Sequence, residues 1–162
     1  MDGIVSLLTT TEGRIGRKQW WIGVLVLIAA GIVASIILSI ISMGNLTIMA
    51  WGGFLISLAL LWPSYCIGIK RRHDRDNDGK DLIALIAVSV LLNLLQVLGI
   101  GVSTIDFNGV AMPTPDMWLA ILQGLVFLFA IYMLVQVGFL RGTPGPNSYG
   151  PDPLGGDATA TA

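Results

Sequence analysis

Cysteine and histidine are almost absent. The chain of 162 residues has one of each, Cys66 and His73. A single cysteine excludes an intramolecular disulfide, and a single histidine cannot build a zinc site without other strong ligands. Charge is scarce as well: Asp, Glu, Lys and Arg make up 12% of the residues, against roughly 25% in an ordinary soluble domain. That scarcity excludes an intrinsically disordered chain, a coiled coil and a basic nucleic-acid-binding domain. With a formal net charge of −1, no bulk charge selects an acidic or basic partner. The missing charge is also unevenly distributed. Four long stretches contain no Asp, Glu, Lys, Arg or His at all.

What fills those stretches is apolar. Hydrophobic residues reach 54% and the mean hydropathy is +0.80. Crossing a hydrocarbon core of about 30 Å takes about 20 apolar residues in a helix. The four runs, at about 21–43, 46–69, 82–105 and 117–140, are each long enough. Backbone groups in lipid must be satisfied within the segment, so these runs are expected to be helices. The first run exceeds a signal-peptide core, and Met43-Gly44-Asn45 follows it in place of a small-residue cleavage site, so it reads as a retained helix. The expected fold is an all-α membrane protein with four transmembrane helices. It divides into an interfacial segment at 1–20, the helical domain at 21–141 and a Pro/Gly-rich tail at 142–162. Residues from about Gly155 onward are small and mostly polar, and read as disordered.

The cations set the orientation. Arg14, Arg17 and Lys18 precede the first run, Lys70, Arg71, Arg72, Arg75 and Lys80 lie between the second and third, and Arg141 follows the fourth. These are all nine, and the other two connections have none. Lys and Arg accumulate on the cytoplasmic side, which predicts both termini and the middle connection in the cytoplasm.

Inside the runs, polar side chains are few. Asn93 and Gln96, three apart, share one helical face, and Gln123 lies on the fourth run. Such amides either join helices to one another or line a path for a small solute. The lack of ionisable groups at this depth argues against a proton- or ion-coupled carrier. Small residues four apart (Gly31, Ser35 and Ser39; Ala120 and Gly124) suit close helix approach. Pro63 is expected to kink the second helix.

Three polar segments carry the remaining information. Gly13-Arg14-Ile15-Gly16-Arg17 leads into Trp20-Trp21, a pattern suited to the headgroup layer. Arg71-Arg72-His73-Asp74 follows the second run. His73 beside Asp74 suggests base chemistry, yet no Ser or Cys nucleophile motif accompanies it, and no catalytic residue is assigned. Asp74, Asp76, Asp78 and Gly79 match the first half of an EF-hand loop, but the position of the bidentate Glu is Leu85. This is a weak calcium-like candidate, better read as a turn ending in Gly79. The tail from Gly142 to Pro153, with Asn147, Tyr149 and Asp152, is dense in Pro and Gly and reads as a set of turns.

Together these three segments resemble the DUF805 family of small bacterial inner-membrane proteins, over nearly the whole chain and most specifically in the tail. Two positions differ: Asp78-Gly79-Lys80 stands where the family usually has Ser-Gly and then Trp, and Asn147 is followed by Ser148 where a basic residue is common. The resemblance implies an inner-membrane location with the termini inside. It supplies no reaction, because the family's function is unknown. The reading that follows is a non-enzymatic membrane protein without a cofactor. Its cytoplasmic face, built from Arg14, Arg17, Trp20, Trp21, Arg71, Arg72, His73, Asp74, Asn147, Tyr149 and Asp152, binds anionic lipid or a protein partner, a second copy included. The alternative is a small-solute transporter or channel using Asn93, Gln96 and Gln123. A membrane-face enzyme using His73 and Asp74 comes third.

Overall fold

A computed structural model describes residues 2–155. Residues 156–162, most of the stretch expected to be disordered, lie outside the described residues. A short helix α1 (Asp2–Thr9) precedes α2 (Arg17–Ser42), α3 (Leu46–His73) and α4 (Lys80–Val97). Strands β1 (Val102–Phe107) and β2 (Val110–Pro115) follow. The last helix, α5 (Met117–Leu134), passes directly into a π-helical turn, Val135–Phe139.

Among the described residues, four helices are long and apolar enough to cross a membrane: α2, α3, α4, and α5 with its π turn. Apolar side chains such as Ile36, Ile40, Leu55 and Phe127 stand exposed on the outside of the bundle. A helix that is apolar on all sides is suited to a hydrocarbon surrounding.

Local chemistry explains the connections. Met43 and Gly44 adopt φ of 49° and 81°, which ends α2 and reverses the chain. The Asn45 side chain then accepts hydrogen bonds from the backbone N–H groups of Thr47 (3.0 Å) and Ile48 (3.1 Å), capping α3. Further along, α3 continues through Pro63 without a break and beyond the apolar run. Lys70, Arg71, Arg72 and His73 form its last turn, so the middle connection begins at Asp74 and not at Lys70. Basic side chains there complement the negative end of the helix dipole.

Two expectations need correction. The third helix was expected to reach 105 and ends at Val97. Gly99 and Gly101 take φ of 75° and 71°, a left-handed backbone that stops the helix. Apolar Val102 and Ile105 extended the hydropathy run, but they belong to a strand. The fold is therefore not all-α: β1 and β2 form a two-stranded antiparallel sheet, with Phe107 paired to Val110 across Asn108-Gly109. The 1–20 segment also contains a helix, α1, which hydropathy did not reveal.

The apolar core is small and lies at one end. Leu7, Ile15, Trp20, Ile67, Met133 and Val137 pack together there, and Cys66 is fully buried on α3. Gly23 permits this closure, since a Cβ at that position would lie 3.0 Å from Ile67 and 3.5 Å from Leu7. Gly53 has nothing within 4 Å of the same position. Gly23→Val should therefore destabilise the fold by about 1–3 kcal/mol through overpacking. Gly53→Ala should change stability by no more than about 0.5 kcal/mol. Reversible unfolding in mixed detergent micelles measures both, and equal effects would contradict the placement of the core.

Candidate functional site

A helix ends with carbonyls that have no partner within the helix. At the end of the π turn, side chains from three other segments meet five successive carbonyls. The Gln136 carbonyl accepts from Arg75 Nη1 (2.9 Å) and the Val137 carbonyl from Arg71 Nε (2.7 Å). Trp21 Nε1 donates to the Gly138 carbonyl (3.1 Å), and Arg17 Nη1 to that of Phe139 (3.1 Å). Arg71 Nη2 donates to the Leu140 carbonyl. Cationic donors suit the negative end of a helix dipole. Gly138 has no Cβ, and one placed there would lie 3.1 Å from the Trp20 ring and 3.2 Å from the Trp21 ring.

Arg71 also donates to Asp74 Oδ2. The other oxygen of that carboxylate, Oδ1, accepts from Arg14 Nε (3.2 Å) and Nη2 (3.0 Å). Arg14 reaches on into the tail, donating to the carbonyls of Thr143 (2.7 Å), Gly145 (2.8 Å) and Gly150 (3.1 Å). The side chains of Arg14, Arg71 and Asp74 are 1%, 0% and 4% exposed, so the network is shut off from solvent. The Asp74 carbonyl accepts from the Thr143 backbone N–H (2.8 Å). Gly142 sits so close that a Cβ there would collide with the Asp74 carboxylate and lie 2.7 Å from its carbonyl.

Asn147 and Tyr149 complete the junction. Asn147 Nδ2 donates to the His73 carbonyl (2.8 Å) and to Thr143 Oγ1 (2.9 Å). The Tyr149 ring stacks on the His73 ring at 3.9 Å and 6°. His73 Nδ1 faces the Gly13 carbonyl at 3.3 Å. Asp152 accepts from the backbone N–H groups of Leu154 (2.9 Å) and Gly145 (3.1 Å), and these bonds hold its carboxyl below the usual range.

The sequence-derived residues thus fall into separate roles. Arg14, Arg17, Trp21, Arg71 and Asp74 share one continuous network, with His73, Asn147 and Tyr149 beside it. Arg72 stands apart, donating to Asp81 while its buried Nε has no hydrogen-bond partner among the described residues. Trp20 is part of the apolar core, edge-on to Trp21 at 4.9 Å. Both Asp74 oxygens are taken by arginines, and the ion pair leaves no His73–Asp74 dyad for base chemistry. The three carboxylates of the calcium-like spacing are likewise committed apart. Asp76 accepts from the Ser148 N–H (3.2 Å), and Asp78 pairs with Lys80 (2.7 Å). No group of three or more His, Cys, Asp or Glu side chains able to hold a metal ion occurs among the described residues.

The amides of the apolar helices are divided as well. Gln123 Nε2 donates to Gln96 Oε1 (3.1 Å), joining α5 to α4. Asn93 lines a groove of about 520 Å³ with Gln96, Trp51 and Phe54, and a second of about 310 Å³ with Ser57, Ser64 and Ser89.

Two participants were not singled out by the sequence motifs. Arg75 reaches Gln136 over 61 positions of chain. Lys70 Nζ donates to the carbonyls of Ser6 (2.9 Å) and Leu7 (2.8 Å) at the end of α1. The Lys70 contact follows from α1, whose apolar residues Ile4, Leu7 and Leu8 recur at helical spacing and offered the one available clue.

The chain matches the family model described as Protein of unknown function (DUF805) over residues 8–151. It is 28% identical over 149 residues to the uncharacterized protein YiiR of Escherichia coli strain K12, covering 92% of this chain and 89% of that protein. The YiiR protein of Escherichia coli O157:H7 matches equally. No solved structure matches the chain.

Replacing one partner of a buried ion pair leaves an uncompensated charge, which costs about 3–5 kcal/mol. Asp74→Asn should lower unfolding stability by that order, and Gly142→Ala should release the tail by displacing Asp74. Limited proteolysis within 142–155, with the unfolding midpoint, reads both. Wild-type protection in Asp74→Asn would show that the network does not hold the tail.

Proposed function

The chain belongs to the DUF805 family, and on that premise we propose that it is a non-enzymatic multi-pass protein of the bacterial inner membrane whose basic end engages the anionic headgroups of the cytoplasmic leaflet. Both termini lie in the cytoplasm in this reading. One observation carries it: all nine Lys and Arg residues sit in the three segments that converge at one end of the bundle, and the opposite connections have none. Such asymmetry orients a helical membrane protein and draws its basic end toward acidic lipid.

Burial decides which cations are free to bind. Arg14 and Arg71 have their donors on internal acceptors, so they act as positioning residues. Arg17, Lys18 and Arg141 are exposed, and Arg17 lies on the Phe139 carbonyl two residues before Arg141. This rim, with the Trp20-Trp21 pair behind it, supports headgroup contact better than the buried pair does. In the competing small-solute pathway, Gln96 and Gln123 would have to give up their bond to one another.

Native mass spectrometry of the protein released from its own membrane tests the lipid reading. Each exposed cation near an anionic surface contributes about 1 kcal/mol. Substituting Arg17, Lys18 and Arg141 together by Gln should lower anionic-lipid occupancy by roughly a hundredfold. Unchanged occupancy would reject the rim, and a bound polypeptide in place of lipid would make this face a protein-docking surface. Orientation is tested separately, with Cys66 replaced by Ala. An impermeant maleimide added to spheroplasts should label Asn108→Cys and spare Ser148→Cys, and the reverse pattern would place the termini outside.

A further inference from the structure

The two edges of the β1–β2 hairpin are unequal. Asn108 and Gly109 have φ of 54° and 81°, the two left-handed residues of a type I′ turn. In that turn the flanking residues, Phe107 and Val110, form a hydrogen-bonded pair, and such pairs recur at every second residue. Ile105 with Met112 and Ser103 with Thr114 are the next two. The bond from the Asp116 N–H to the Gly101 carbonyl (2.8 Å) continues the same alternation. The residues between them turn their backbone N–H and C=O groups outward. On β2 these are Ala111, Pro113 and Pro115, and on β1 they are Val102, Thr104 and Asp106.

Proline has no N–H, and prolines on a sheet edge stop the ladder from extending. The outer edge of β2 therefore offers one outward amide, at Ala111. The outer edge of β1 keeps all three. Residues 103–106 are exposed, and among the described residues no backbone bond from outside the hairpin reaches the Thr104 or Asp106 amide.

We propose that the open edge of β1 is the docking surface for β1 of a second copy of this chain, paired antiparallel about a two-fold axis at Thr104. The row of donors and acceptors at Val102, Thr104 and Asp106 is self-complementary under that axis, as an isologous contact requires. The N–H of each Thr104 meets the carbonyl of the other. Each Asp106 falls opposite Val102, so the two carboxylates do not face one another, which would be unfavourable. The proline-bearing edges then lie outermost and end the sheet at four strands, in the order β2-β1-β1-β2. The assembly closes as a dimer and does not propagate. It also supplies strands that an isolated two-stranded hairpin lacks for stability.

Opposed residues of a hydrogen-bonded pair have Cα atoms about 5.5 Å apart, within reach of a disulfide. Full-length Thr104→Cys and Ala111→Cys, each carrying Cys66→Ala, are oxidised in bacterial membranes. Thr104→Cys should form a disulfide-linked dimer and Ala111→Cys should remain monomeric. Thr104→Pro removes an outward N–H and leaves the hairpin's own ladder whole. It should weaken dimerisation of the purified full-length protein about tenfold or more, with the unfolding midpoint of the dilute monomer unchanged. The proposal is overturned by cross-linking of Thr104→Cys no greater than that of Ala111→Cys, or by its capture of a different polypeptide. A wild-type dimer fraction in Thr104→Pro overturns it equally.

Discussion

One carboxylate, that of Asp74, holds two guanidinium groups that water cannot reach. Two buried cations on one anion would leave an uncompensated charge, and the rest of the compensation comes from backbone. Arg71 lies along the carbonyls of Val137 and Leu140, at the negative end of the last helix. Arg14 takes three carbonyls of the tail. Asp74 thereby fixes three separate stretches of chain at once: the segment before α2 through Arg14, the end of α5 through Arg71, and Thr143 through its own carbonyl. Gly142 leaves no room for a Cβ beside Asp74, and a Cβ at Gly138 would press on the Trp20 and Trp21 rings.

This explains where the molecule needs polar chemistry. Helices with apolar outer faces gain little from burying those faces against each other when the surrounding medium is also apolar. Packing and interhelical hydrogen bonds must supply the difference. Here they are concentrated at the ends. At one end the small core around Ile67 and Trp20 lies under the arginine network. Toward the other, Gln96 and Gln123 bridge α4 and α5, and the hairpin closes over the chain reversal at Gly101, against the Trp118 ring.

The long apolar runs and the family motifs were legible in the sequence because hydropathy and spacing are local properties. The four apolar helices followed from them. Val102 and Ile105 misled because apolar residues count alike in a helix and a strand; Gly99, Gly101 and Asn108-Gly109 held the correcting signal, in backbone conformation. Arg14 and Arg71 read as surface cations because a basic residue next to a span usually is one. Their burial depends on acceptors 60 or more positions away, which no local pattern encodes. The engagement of Asp74 by Arg14 and of Asp76 by Ser148 is a property of tertiary placement for the same reason.

The tail's part in this network has a consequence for biosynthesis. Arg14 emerges from the ribosome before the four apolar helices, while its acceptors at 143, 145 and 150 emerge after them. Until they do, its guanidinium stays hydrated, and the polar end of the bundle closes only after residues 143–150 have emerged. A chain stopped after the fourth helix would have every apolar segment in place and an unfinished junction. The acceptors within 143–150 therefore gate the last folding step of this junction, and a chain lacking them would leave the Arg14 guanidinium open to water.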